Sequence, residues 1–149
     1  MRALAHAAVV ASAVLTGCSG GSDSGTPTWA GPPEPAADGT VSVDDFDAYA
    51  DEVDEAWEGS AAMAAAEFLR LDERTAARTS IEGVASAEGA GPETVTVTLD
   101  GLLDDSVRAE RWTLTFVSEG DVYRLTEAVW TQRCQPGRGH QDFGPEPCV

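Results

Sequence analysis

The chain has 149 residues and a formal charge of −17, with 26 Asp and Glu against nine Arg and no Lys or Asn. So acidic a chain lacks the cationic face that a phosphate backbone needs, which excludes nucleic acid as a partner. The missing lysine and asparagine also close lysine Schiff-base chemistry and N-glycosylation.

Met1-Arg2 is a short cationic start, and residues 3 to 15 form an apolar run without an acid. That pattern predicts a secretory signal peptide, because a helix that spans a bilayer needs about 20 residues. The run ends in Leu15-Thr16-Gly17-Cys18, which resembles the lipobox of bacterial lipoproteins. The resemblance implies cleavage after Gly17, acyl chains on Cys18, and a chain held at the extracytoplasmic face of the cell membrane. Residues 1–17 are therefore expected to be signal peptide, and residues 18–41 the lipidated Cys and a disordered tether rich in Gly, Ser and Pro, with Trp29 an incidental member. Losing residues 1–17 removes Arg2 and no acid, so the mature chain carries −18. Anionic headgroups repel such a chain within a Debye length of about 8–10 Å, which makes lipid and not charge the anchor.

Residues 42–149 are expected to form one α+β domain. Ser42 is a candidate N-cap, with Asp45 three residues on. Phe46, Tyr49, Ala50, Val53 and Trp57 keep the spacing of an amphipathic helix, and Asp47, Asp51, Asp54 and Glu58 fall on its solvated side, up to the break at Gly59. Ser60 is the candidate cap of a second helix from Ala61 to about Arg70, with Met63, Ala66 and Leu69 along one side. Thr75 to Val84 reads as a short edge strand and residues 87–92 as a loop.

From there the period changes to two. Val95, Val97 and Leu99 alternate with threonines, as do Trp112, Leu114 and Phe116 with Arg111, Thr113 and Thr115, so each strand has one apolar and one wet face. The loop Asp100 to Ser106 holds three carboxylates but lacks the spacing of a calcium loop. Ser118-Glu119-Gly120-Asp121 is a hairpin turn into a last strand, Val122 to about Arg133, whose imperfect alternation calls for a bulge or for burial of both faces near Trp130. Three or four antiparallel strands under one or two N-terminal helices look like the cystatin-like or cone-like folds of small exported domains, an analogy that carries no function.

The C-terminal segment gathers the rare residues. Cys134 and Cys148 are expected to pair, because two thiols in an exported chain are far more often a disulfide than a zinc site. The closed loop would then be a clasp, with Phe143 plugging the core edge and Arg138 on an acid. The sharper alternative takes Arg138, His140 and Asp142 as a binding cluster, since alternate positions of an extended segment share one side. Nothing resembling a nucleophile elbow surrounds Ser106 or Ser118, one His with two Cys matches no common spacing of a structural zinc site, and His140 with Asp142 and Glu146 is short of zinc ligands, so neither a metal nor a cofactor is expected. The segment Arg133-Cys134-Gln135-Pro136-Gly137-Arg138-Gly139-His140-Gln141-Asp142-Phe143, closing on Pro147-Cys148, resembles the C-terminal signature of an uncharacterised family of exported bacterial proteins. The resemblance covers the last quarter of the chain and implies no activity. Together these features predict a membrane-anchored envelope lipoprotein, a non-enzymatic binding or support module for an envelope protein or small ligand. The alternative is a small exported enzyme or ligand-binding domain built on His140, Arg138 and Asp142.

Overall fold

The computed structural model describes residues 27–86 and 91–149. The apolar run, the Leu15-to-Cys18 motif and part of the 87–92 loop lie outside the described residues. Five strands, β1 (Thr40–Val41), β2 (Ala76–Val84), β3 (Glu93–Leu102), β4 (Val107–Glu119) and β5 (Val122–Cys134), form one antiparallel sheet in the order β1-β5-β4-β3-β2. Helices α1 (Asp44–Glu52) and α2 (Ala61–Phe68) cover one face. The chain is thus α+β, with five strands instead of three or four. The additional strand is β1, two residues that pair with Ala128 and Val129 of β5. It precedes both helices, so they do not open the domain.

Alternation places the core. Val95, Val97, Leu99, Trp112, Leu114 and Phe116 are buried as the period-two pattern demands, and their neighbours Thr96, Thr98, Arg111, Thr113 and Thr115 form the open face. On β5 the register slips between Thr115/Glu127 and Phe116/Leu125, leaving Thr126 as the extra residue of a bulge. The slip turns Leu125 and Ala128, an odd and an even position, into the same core. It accounts for the broken alternation. Gly120, at φ 69, opens the turn into β5, where a primed turn places a residue with positive φ.

Three expectations about the helices need correction. Ser42 caps nothing: α1 starts after Val43, whose side chain makes no cap bond, because pairing of Val41 with Ala128 keeps the chain extended up to that point. The first turn relies instead on Asp44, Asp45 and Asp47 near the positive helix end. The helix also ends early, at Glu52, and Val53 is extended (φ −112, ψ 158). Trp57 still reaches the core, carried by a 3-10 turn, Ala56–Gly59, that Glu55 and Glu58 close reciprocally. Glu58 is consequently buried rather than solvated, its carboxylate accepting from the Glu55 N–H at 2.8 Å. Ser60 does cap α2, with its hydroxyl facing the Met63 N–H at 3.5 Å. Of the expected side of α2 only Leu69 is buried: Met63 is exposed and Ala66 half-buried, and Ala61, Ala64, Ala65 and Phe68 face the core instead. Its three buried alanines are small enough to bring the helix close to the sheet, and aromatic rings fill the rest.

The largest correction concerns residues 28–41, read above as tether. Trp29 is only 6% exposed, and its ring lies 5.1 Å from Phe46, 6.1 Å from Tyr49 and 5.9 Å from Phe68. The indole N–H donates to the Phe68 carbonyl at 2.7 Å, one of the carbonyls that the C-terminal turn of α2 leaves without a helical partner. Beyond it α2 closes as a Schellman motif: the Arg70 N–H donates to the Glu67 carbonyl and the Leu71 N–H to that of Ala66, both at 3.0 Å. The left-handed residue of this motif is Arg70 (φ 49) where glycine is usual. Its guanidinium donates back to the Trp29 carbonyl and to Glu73, fastening the N-terminal segment to the helix end. Gly39 finishes the docking, because a Cβ there would sit 2.3 Å from the Trp130 carbonyl oxygen.

Candidate functional site

The expected cluster of Arg138, His140 and Asp142 is not assembled by the fold. The segment after Cys134 is a series of turns, with positive φ at Gly137 and Gly139, so alternate positions do not share a side. Arg138 points to Asp105, 3.9 Å away, and the partner of His140 is the Asp142 carbonyl rather than its carboxylate. Both imidazole nitrogens face carbonyl oxygens, Nδ1 that of Asp142 at 2.7 Å and Nε2 that of Glu146 at 2.9 Å. Only the imidazolium donates to both. These two bonds, Asp142 first, raise the His140 pKa above its ordinary value.

The histidine is therefore a clasp whose strength depends on pH. A raised folded-state pKa means that His140 contributes stability below the unfolded value of 6.5 and loses it as pH rises through the folded value. The urea midpoint is expected to fall from about pH 6 to about pH 8, and His140→Gln to remove that part of the decline. Identical pH profiles for the two proteins would refute the clasp.

Cys134 and Cys148 are joined, with Cα atoms 5.4 Å apart. Ligand atoms of Cys134, His140 and Cys148 lie within 4.8 Å of one another, but both sulfurs are in the disulfide and both ring nitrogens face carbonyls. Phe143 does not plug the core edge. It lies on the open face of the sheet, with the Arg111 guanidinium 3.8 Å from its ring centre. The carboxylates of the Asp100-to-Ser106 stretch are separately employed. Asp100 accepts from Arg108 and Arg133, and Asp104 accepts from the N–H groups of Ser106 and Val107, both at 2.7 Å. Those backbone bonds hold Asp104 below the usual carboxylate range.

A cleft of about 470 Å³ lies on the helix side of the sheet. Trp112, Trp130 and Gln132 come from adjacent strands, because Trp112 pairs with Trp130 and Glu110 with Gln132 across β4 and β5. Pro32, Pro33 and Pro35 come from the docked N-terminal segment, and Pro145 and Pro147 from the disulfide-closed loop. Proline fixes φ and offers no N–H, so these segments present stiff apolar surfaces. Of the polar side chains of the lining, Arg74, Glu110 and Gln132 are already engaged, while Glu34 is exposed. Arg74 donates to Glu110 at 2.9 Å and to the Leu69 carbonyl at 2.7 Å, and Gln132, 5% exposed, donates to the Glu146 carbonyl at 2.7 Å. The lining contains no hydroxyl, thiol or imidazole. Such a site can stack and enclose apolar surface.

Sequence reasoning overlooked this cleft because the prolines fell in the presumed tether. The available signal was Trp29, a large ring that low-complexity linkers rarely carry. Among the described residues no helix is long and apolar enough to cross a membrane. No protein-family model, curated protein or solved structure matches the chain.

Proposed function

We propose that the chain is a membrane-anchored cell-envelope lipoprotein whose domain is a non-enzymatic binding module, holding an extended apolar segment of an envelope protein in the proline and tryptophan cleft. The cleft carries the reading: two tryptophans and five prolines line one open cavity in which Arg74, Glu110 and Gln132 are held by partners of their own. Stiff walls favour binding because little conformational freedom is lost when the partner docks. Export and lipidation rest on the Leu15-to-Cys18 motif behind its apolar run. The cystatin-like or cone-like likeness rests on two helices laid across one face of an antiparallel meander. An enzymatic reading through Arg138, His140 and Asp142 gains no support, since both nitrogens of His140 are engaged in the loop.

Two experiments bear on the reading. Cys18→Ser should abolish acyl labelling and release the chain from the membrane fraction; unchanged partitioning and labelling would remove the anchor from the proposal. A photo-crosslinking residue in place of Glu34, on the cleft lining, should give a discrete protein adduct in intact cells that Trp130→Ala eliminates. The same residue in place of Met63, exposed on α2 and outside the cleft, serves as control. Equal adducts at both positions, or an adduct that survives Trp130→Ala, would exclude the cleft as the binding surface.

A further inference from the structure

Acids outnumber arginines almost threefold, so every guanidinium has a carboxylate available. Arg70, Arg74, Arg108, Arg124, Arg133 and Arg138 each take one. Arg78 and Arg111 have no ion-pair partner among the described residues, and both line the same depression of about 200 Å³ on the open face of the sheet. The register explains why they meet. Ser80, Thr98 and Arg111 lie side by side on β2, β3 and β4, and the next row runs from Arg78 through Asp100 and Ala109 to Arg133. Rows two residues apart along a strand are separated by about 7 Å, within reach of one small ligand. Arg111 and Trp112 are adjacent on β4 and point to opposite faces, so this depression is independent of the cleft.

The tail shapes the guanidinium groups. The Phe143 ring centre lies 3.8 Å from the Arg111 guanidinium carbon and 5.1 Å from that of Arg133. Stacking covers a face of the planar fork and restricts its rotation. The Nε atoms of Arg111 and Arg133 are buried without a partner, and Nη2 of Arg133 is taken by Asp100 at 3.1 Å. The two terminal nitrogens of Arg111 are neither buried nor bonded among the described residues. A guanidinium held this way presents its in-plane edge, the edge that accepts an oxyanion through two parallel bonds.

We propose that this depression binds a compact oxyanion, a carboxylate or phosphate group, held by Arg111 and Arg78 with the hydroxyls of Ser80 and Thr98. Two carboxylates also line it. Asp100 is shared between Arg108 and Arg133 and repels little, while Glu82 confines the ligand to a single anionic group, in keeping with the volume of about 200 Å³. The overall negative charge slows the approach of anions but is screened beyond about 8–10 Å, so the local guanidinium groups decide binding.

The test follows the arginine side-chain N–H resonances of the full-length protein in detergent during titration with inorganic phosphate and, separately, with acetate, chloride keeping the ionic strength constant. Saturable shifts at Arg111 are expected with at least one anion; the one that saturates at lower concentration identifies the group. Arg78→Ala should weaken binding about tenfold and Arg111→Met should abolish saturation, as expected for lost bonds to a charged group. Arg138→Ala, outside the depression, should change nothing. Arg78 is exposed and unpaired, so its removal leaves the fold intact and the test valid if Arg111→Met fails to fold. Non-saturating shifts with both anions, or affinity unchanged in Arg78→Ala, would overturn the site.

Discussion

Trp29→Ala is expected to destabilise the full-length protein by about 3–5 kcal/mol, the range for removing a large buried aromatic side chain. The ring touches α1 through Phe46 and Tyr49 and α2 through Phe68, and its N–H satisfies the Phe68 carbonyl. Alanine would leave a cavity among three rings and a helix-end carbonyl without a donor. The urea midpoint, with the transition slope unchanged, measures the loss. An effect below about 0.5 kcal/mol, the size usual for a surface residue, would return this segment to the tether it resembles in composition. Trp29→Phe should recover much of the packing while losing the indole hydrogen bond, about 1 kcal/mol of the total.

Replacing both Cys134 and Cys148 by alanine is expected to cost about 3 kcal/mol, the loop-closure contribution of a 15-residue ring. That is a large share of the 5–15 kcal/mol typical of a small domain, an approximate range. The loop has further bonds that keep its native path, among them Cys134 N–H to the His140 carbonyl at 3.0 Å, Val149 N–H to the Arg138 carbonyl at 2.8 Å, and the pair between Gln132 and Gly144. The variant should therefore fold, at a lower urea midpoint, and reductant should lower the midpoint of the parent to the same value. A parent midpoint indifferent to reductant would show that the bond contributes nothing. The Glu34 crosslink should also weaken in the variant, because Pro145 and Pro147 lie in the released loop.

Where one period governed both burial and geometry, the sequence was easy to read. Val95, Val97, Leu99, Trp112, Leu114 and Phe116 could face one way only, and the disrupted alternation of β5 pointed to the bulge that Thr126 makes. Ser60 was likewise legible from its place one residue before a helical run, and the cysteine pair from there being two thiols besides Cys18 to join. The failures involve contacts distant in sequence. Nothing local distinguishes Pro32 to Pro35 from a linker; their order comes from Trp29 reaching Phe68 and from Thr40 and Val41 meeting β5, 88 residues or so away. Arg70 disguised the end of α2 by occupying a left-handed position usually given to glycine, a strain offset by its own guanidinium contacts. The candidate site misled because the rare residues of the tail, His140 above all, are used up in closing it, whereas the cleft is assembled from prolines and tryptophans in four separate stretches.

The docked N-terminal segment also sets a leash length. If Cys18 carries the proposed lipid, only eleven residues of chain lead from it to the buried Trp29, and a fully extended chain of that length reaches about 36–40 Å. A free tether up to residue 41 would have reached about 75–80 Å. Pro32, at the near end of the cleft, could then rise no more than about 50 Å above the bilayer. A partner would have to present its segment within that shell, near the membrane and not across the envelope.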